Sequence, residues 1–542
     1  MSFSARNRTI YIEQMQEDSF DLLVVGGGIT GAGIALDAVS RGLKVCLIEK
    51  SDFASGTSSR STKLIHGGLR YLKQLEFGIV REVGMERTIL HKNAPHIVVP
   101  ERMLLPIVKG GSLGKRSTSL GLYVYDRLAG VEKEERRNML TKEATLEKEP
   151  LLNKDILLGG GMYVEYRSDD ARLVIEVLKS ATERGALCVN YIHCDTFTHN
   201  EKQKINGATC TDIFSGKRFQ IRAKKVINAC GPWVDFLRKE DNSLKGKRLH
   251  LTKGIHLVVR NDRLPIRQAV YFDVKDGRMV FAIPRGEKVY IGTTDTNYTQ
   301  TIDYPFADSK DIAYVLEAAN HMFPGINLVP DDVESTWAGL RPLIHEDGKA
   351  PSDLSRKDEI FISDSNLISM AGGKLTGFRK MAERAVNVVC KQLKLEEGRS
   401  FPKCSTAAIT LSGGQLTISP TEYAKNLQQD FTQFSLIDVT DLVLKYGSNT
   451  DYILSSAHST YNNQLLLAEA NYSLEHEMAN NTADFIVRRT GRLYFDRPKL
   501  NGDIEILDDF FNTQLSYTPE ITAKNSLEYD REYKGVIAFR EL

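Results

Sequence analysis

An apolar run, Phe20 to Val25, interrupted only by Asp21, leads into three glycines, Gly26, Gly28 and Gly31. A stretch with apolar positions at helical spacing follows, and then a second apolar run, Val45 to Ile48. Short runs without polar alternation are what strands buried on both faces require. Ala35, Ala38 and Val39 share one side of the intervening helix, and Gly42 ends it. The pattern predicts strand, helix, strand: one complete βαβ unit. Related texture returns along the chain. A helix is predicted over Asp170 to Arg184 and a strand over Ala186 to Tyr191, and the apolar strand from Lys224 ends in Asn-Ala-Cys-Gly-Pro. Met370 to Arg379 again reads strand, two glycines, then a helix running to about Leu393. Between residues 250 and 300 the period changes. Four short runs, IHLVV, AVYFDV, MVFAIP and KVYIGTT, are separated by turn residues, which predicts an antiparallel sheet. Residues 396–409 read as a linker, and the chain from about Gly413 is polar and helical.

These elements predict an α/β protein of three parts. A Rossmann-like dinucleotide-binding domain with a parallel sheet takes 20–105, 160–250 and 335–395. A domain built on an antiparallel sheet takes 106–159 and 251–334, and a helical domain takes 396–542. A chain of 542 residues, 42% hydrophobic, is long enough to bury cores of that size. Its net charge of +1 gives no hint of nucleic-acid binding. The seven cysteines form no CxxC pair, as expected of reduced thiols in a cytosolic setting rather than a disulfide framework. The eleven histidines show no metal-ligand spacing, so no metal is expected. The N-terminus lacks the apolar stretch of a signal peptide, and no apolar run approaches the roughly 18 residues that span a bilayer.

The chemistry starts at the glycines. Gly26 permits a tight turn, Gly28 lets backbone approach a pyrophosphate, and Gly31 lets the helix pack close to the sheet. The pyrophosphate is expected on the helix N-terminus, where N–H groups and the dipole favour an anion. Glu49, at the end of the second strand, is placed to accept hydrogen bonds from an adenosine ribose. The segment that follows, Lys50 to Tyr71, is rich in Ser, Thr and Gly and suits the wrapping of a long cofactor, which favours FAD over NAD. Lys50, Ser59, Thr62, Lys63, Leu64, Gly67 and Gly68 are the expected contacts from it, with Ala229 and Gly231 from the small-residue turn.

Several motifs together resemble the FAD-dependent glycerol-3-phosphate dehydrogenases, within the glycine oxidase/D-amino acid oxidase-like flavoproteins. They are SSRSTKLIHGGLRYL from Ser58, SDDARLV from Ser168, NACGPWVD from Asn228, TKGIHLVV from Thr252, IGTTDT from Ile291, WAGLRPL from Trp337 and GGKLTGFRK from Gly372. The resemblance covers about residues 20–395, and the C-terminal part looks like that family's helical cap domain. It implies oxidation of sn-glycerol 3-phosphate to dihydroxyacetone phosphate, with hydride passing to flavin N5. It adds Gly339, Gly373, Leu375 and Thr376 to the cofactor contacts. His66 is the leading proton acceptor, with Arg341 an alternative and His256 a rival; His66 serves equally well as a positioning group. Arg70, Arg341 and Arg356 suit a phosphate or a developing alkoxide. Lys374 favours negative charge on the reduced ring, unless it merely caps a strand. Thr376 can donate to flavin or substrate, and Tyr71 is either a substrate contact or packing.

For the electron acceptor, the family divides between membrane dehydrogenases that reduce quinone and oxidases that reduce oxygen. The interval from Arg341 to Lys374 is too short for the extra segment seen in oxidases, which favours a membrane quinone. Residues 102–128 mix five basic side chains with apolar ones and are expected either to meet an anionic membrane surface or to form a solvated helix. The expected setting is cytoplasmic, peripheral on the inner face of the cell membrane, and a homodimer is compatible with it. A flavin-bearing sensor without catalysis would keep the glycines and Glu49 but need no His66, Arg70, Arg341 and Lys374. An amine or amino-acid oxidase would need a carboxylate clamp and an apolar amine pocket.

Overall fold

The computed structural model describes residues 2–66, 77–111, 114, 118–119, 121–124, 136–345, 358–457 and 463–540. Two sheets organise it. In the first, five strands run parallel in the order Ile368–Ala371, Arg218–Asn228, Ser19–Val25, Val45–Ile48, Leu187–Val189. Glu359–Ile362 adds an antiparallel edge, and Ile192–His199 with Ile205–Asp212 forms an antiparallel ribbon on Arg218–Asn228. The apolar run that predicted the first strand is buried on both faces, with Leu22, Leu23 and Val24 fully enclosed. Burying each such side chain contributes about 1.5–3 kcal/mol. Successive connections leave Ser19–Val25 in opposite directions, to Val45–Ile48 on one side and Arg218–Asn228 on the other, which opens a crevice at the strands' C-terminal ends. The helix Ile29–Ser40 packs between helices Asp170–Glu183 and Phe378–Glu397.

The second sheet has ten strands, centred on Leu249–Arg260, which pairs antiparallel with Lys288–Gly292 and with Val333–Ile344. It is antiparallel except for one parallel join, between Ala269–Asp273 and Val99–Val108. Alternation along its central strand serves two buried faces. Ile255, Leu257 and Val259 share a core with Ile312, Val315 and Leu316 of the helix Ser309–Met322. Val258 lies in the other core with Phe281, Tyr290 and Trp337, on the side of the first domain.

Val99–Val108, Leu157–Arg167 and Val333–Ile344 belong to this second sheet, so the sheets divide the chain at different points from the expected segments. A run buried on both faces shows no polar alternation and does not declare which sheet it joins. The same fact alters the reading of 102–128. Met103, Leu104, Leu105 and Ile107 are buried in an internal strand and give no lipid-facing surface. Residues 112–113, 115–117, 120 and 125–128 of that segment lie outside the described residues.

The C-terminal domain is helical. Helices Pro420–Asp430, Leu436–Tyr446, Thr450–Ser456 and Gln464–His476 enclose a small core that includes Leu427, Val439, Leu442 and Ile453. The long helix Pro519–Ile537 then packs back onto the strand Val333–Ile344. Among the described residues no helix is long and apolar enough to cross a membrane. All seven cysteines are free thiols.

Candidate active site

A cavity of about 490 Å³ lies between the C-terminal edge of the first sheet and the inner face of the second. One end is built from backbone. Gly26 has φ +115°, and a Cβ there would stand 2.6 Å from the Ala229 carbonyl oxygen. Gly31 does not line the cavity; a Cβ on it would overlap the Gly26 carbonyl, so its role is to let the helix seat against the turn. Glu49 accepts the Gly27 N–H at 2.7 Å and the Ser51 N–H at 2.9 Å. Burial pushes its carboxyl above the ordinary range despite these donors. Ser58 Oγ accepts the Ile29 N–H at 3.0 Å, and the Thr57 hydroxyl donates to the Leu340 carbonyl at 2.6 Å, which fixes the Ser/Thr-rich loop on both domains. Lys50 lines this end with its ammonium on Asp303 at 2.6 Å and above the Trp233 ring at 4.5 Å.

The other end is built from side chains. Arg341, opposite Thr252 in the register, lays its guanidinium across Gly254, where any Cβ would overlap it. Arg341 donates to the Thr294 carbonyl at 3.1 Å, the Thr293 hydroxyl at 2.9 Å and Asp295 at 3.3 Å. His256 stacks on Trp337, ring centroids 4.9 Å apart and planes at 13°, and its Nε2 lies 3.0 Å from Thr62 Oγ1. Its Nδ1 is buried without a protein partner. Burial first, then Arg341 and Lys63, hold His256 well below the ordinary histidine range, so the ring is neutral. His66 follows the short strand Leu64–Ile65 and meets the edge of Phe281 at 6.3 Å. Lys374 follows Gly372 (φ +74°) and Gly373 (φ +88°) and precedes the turn Leu375–Gly377. Thr376 donates to the His66 carbonyl at 3.4 Å, which ties that turn to His66.

Of the expected site residues, Gly26, Gly28, Glu49, Lys50, Thr62, Leu64, His66, Ala229, Gly231, His256, Gly339, Arg341, Gly373, Lys374, Leu375 and Thr376 all line this one cavity. Ser59 and Lys63 do not. The Lys63 ammonium turns inward onto Asp170 at 2.6 Å and the Ser59 carbonyl at 3.0 Å, and the Ser59 hydroxyl is buried. A buried ammonium needs a carboxylate, and Asp170 at a helix start supplies it. Gly67, Gly68, Arg70, Tyr71 and Arg356 lie outside the described residues. Arg60, Trp233 and Asp303 also line the cavity and were not anticipated. An arginine inside a Ser/Thr-rich loop was the available signal for Arg60; Asp303 carries none. Among the described residues no cluster of His, Cys, Asp and Glu could hold a metal.

A glycine turn at a helix N-terminus, an acid at the next strand end and a buried ring nitrogen awaiting a partner fit a dinucleotide cofactor with a reactive ring at the charged end. Comparison with known proteins agrees. A model of the family "FAD dependent oxidoreductase" matches residues 21–378, and one for the "C-terminal domain of alpha-glycerophosphate oxidase" matches 404–520. The aerobic glycerol-3-phosphate dehydrogenase of Bacillus subtilis (strain 168) is 50% identical over 535 residues, 97% of this chain and 96% of that protein. That of Staphylococcus aureus (strain MRSA252) is 49% identical over 529 residues, 96% and 95% of the two chains. The X-ray structure of the glycerol-3-phosphate dehydrogenase from Bacillus halodurans, complexed with FAD, matches with a TM-score of 0.84 at 45% identity, over 99% of this chain and 98% of that one. With cavity, sequence and fold pointing the same way, this chain belongs to the FAD-dependent oxidoreductases and, within them, to the aerobic glycerol-3-phosphate dehydrogenase family.

Proposed function

We propose that the protein oxidises sn-glycerol 3-phosphate to dihydroxyacetone phosphate and passes the electrons to a membrane quinone. The observation that carries this reading is a fixed guanidinium, Arg341, sharing the far end of a dinucleotide cavity with Lys374, His66 and a neutral His256. Gly26, Gly28 and Glu49 would hold the dinucleotide. Bound FAD supplies the two-electron acceptor for the carbinol C–H.

The rest is positioning and proton handling by the chain. Arg341, with Arg70 and Arg356 from the resemblance, holds the phosphate or the alkoxide oxygen. His66 takes the hydroxyl proton. Arg341 is the alternative and His256 a rival; burial and the nearby cations hold the His256 ring well below its ordinary range, which keeps it neutral but makes it a weak base. Lys374 sets positive charge where negative charge accumulates, and the two glycines before it permit close approach. The names of the relatives and the short interval between Arg341 and Lys374 support a dehydrogenase.

An anaerobic titration with sn-glycerol 3-phosphate, following the flavin absorbance, tests the reaction. Bleaching by this substrate but not by glycerol or glycine is expected. Slow recovery in air and fast recovery with a quinone analogue then mark a dehydrogenase, and rapid recovery in air with peroxide an oxidase. A band that never bleaches overturns the substrate.

A further inference from the structure

Resting on the assignment of FAD to this cavity, we propose that the C-terminal helical domain is part of the cofactor site. It clamps the loop 50–62 through a buried carboxylate–guanidinium network and so sets how long the cofactor stays bound.

The loop lines the cavity over 55–58 and 60–62, yet its only regular element is the single turn Thr57–Ser59. Its shape is therefore imposed from outside. At one end Asp52 accepts from Arg488 Nε at 2.5 Å and from Arg489 at 2.7 and 2.9 Å. At the other, Arg60 donates to both oxygens of Glu532 at 3.2 Å, and Arg488 donates to Glu532 at 2.9 Å, which closes the circuit. Every one of these side chains is buried. Burial alone would push the Asp52 carboxyl up, but Arg489 and Arg488 hold it below the ordinary range.

Arg60 is the transmitting residue. It lines the cavity while its tip rests on the C-terminal helix, and its carbonyl packs so closely on Gly339 that a Cβ there would overlap it. The same helix reaches the cavity a second time. Arg531 donates to the Tyr304 hydroxyl, and the neighbouring Asp303 holds both Lys50 and the Trp233 indole N–H, the latter at 2.8 Å. Removing one partner from a buried ion network leaves an uncompensated charge, so the loop should loosen rather than re-form.

The test compares two isosteric changes in the full-length holoenzyme. Glu532→Gln cuts the clamp. Glu469→Gln alters an equally buried carboxylate of the same domain whose partners, Lys445, Tyr446 and Arg492, touch no part of the loop. The readout is the rate at which FAD fluorescence appears on dilution. Release at least tenfold faster from Glu532→Gln, with Glu469→Gln within twofold of wild type, is expected. Wild-type release from Glu532→Gln, or equal acceleration by both, overturns the clamp. Should Glu532→Gln not accumulate as folded protein, hydrogen exchange on the wild type decides. FAD should slow exchange at 484–489 and 528–536 as well as at 50–62, and slowing confined to 50–62 overturns the proposal. A wild-type protein that takes up no FAD would instead remove the functional reading itself.

Discussion

The two ends of the cavity solve recognition in opposite ways. The glycine end is backbone pressed against backbone: Gly26 on Ala229, Gly31 on Gly26, with Glu49 anchored by two N–H groups. The charged end is made of side chains brought from distant segments, His66, His256, Arg341 and Lys374, each held by its own neighbours. A backbone site is intolerant of added atoms and indifferent to charge. A side-chain site tolerates small changes of volume and fails when a charge is lost. The two ends should therefore break separately, one by losing cofactor and the other by losing rate or affinity.

The largest effect should come from Gly31→Ala. Its methyl overlaps the Gly26 carbonyl, a cost of about 3 kcal/mol. The purified protein should carry less than about a tenth of the wild-type flavin per chain; normal flavin content would contradict the backbone account. Lys374→Met should do the reverse, keeping FAD and lowering kcat by about a hundredfold. If flavin is lost along with turnover, the separation of the two ends fails. Arg341→Ala should raise KM for sn-glycerol 3-phosphate by about thirtyfold with flavin content intact, the effect of a lost charge-assisted contact. An unchanged KM would remove Arg341 from substrate binding.

The smallest effect lies far from both ends. Burial would raise Glu469, but Lys445 and Arg492 hold it down to about 2. Its folded value is thus below its unfolded one. The stability it contributes is complete above about pH 4.5 and is lost as pH falls toward 2. Thermal unfolding should therefore drop less between pH 5 and 3 in Glu469→Gln than in wild type. Parallel curves for the two proteins would contradict the assignment, and either result should leave flavin binding and KM alone.

The glycine end was legible in the sequence because it is local. A strand, a turn, a helix and an acid within thirty-odd residues leave a pattern that needs no tertiary knowledge. Most of the charged end was legible only through family motifs. Nothing local puts Arg341 across Gly254, or His256 between Trp337 and Thr62; strand register does, and register is a property of pairs. The course of the Lys63 side chain is illegible for the same reason. Its partner Asp170 stands more than a hundred residues away, and only the fold shows that the ammonium turns inward. The apolar side chains of 102–108 were offered to a membrane because an internal strand and an amphipathic surface segment look alike when polar alternation is missing.

The strand order of the first sheet also fixes a timetable. Ser19–Val25 is flanked on one side by Val45–Ile48, available early, and on the other by Arg218–Asn228, which in turn awaits Ile368–Ala371. During synthesis from the N-terminus, the glycine turn would emerge long before Ala229, the residue that Gly26 packs against. The helix bearing Glu532 emerges later still, well after Ala229. If the clamp holds, a chain made only as far as the glycine turn displays its nucleotide fingerprint with neither Ala229 nor Glu532 yet there to close around it.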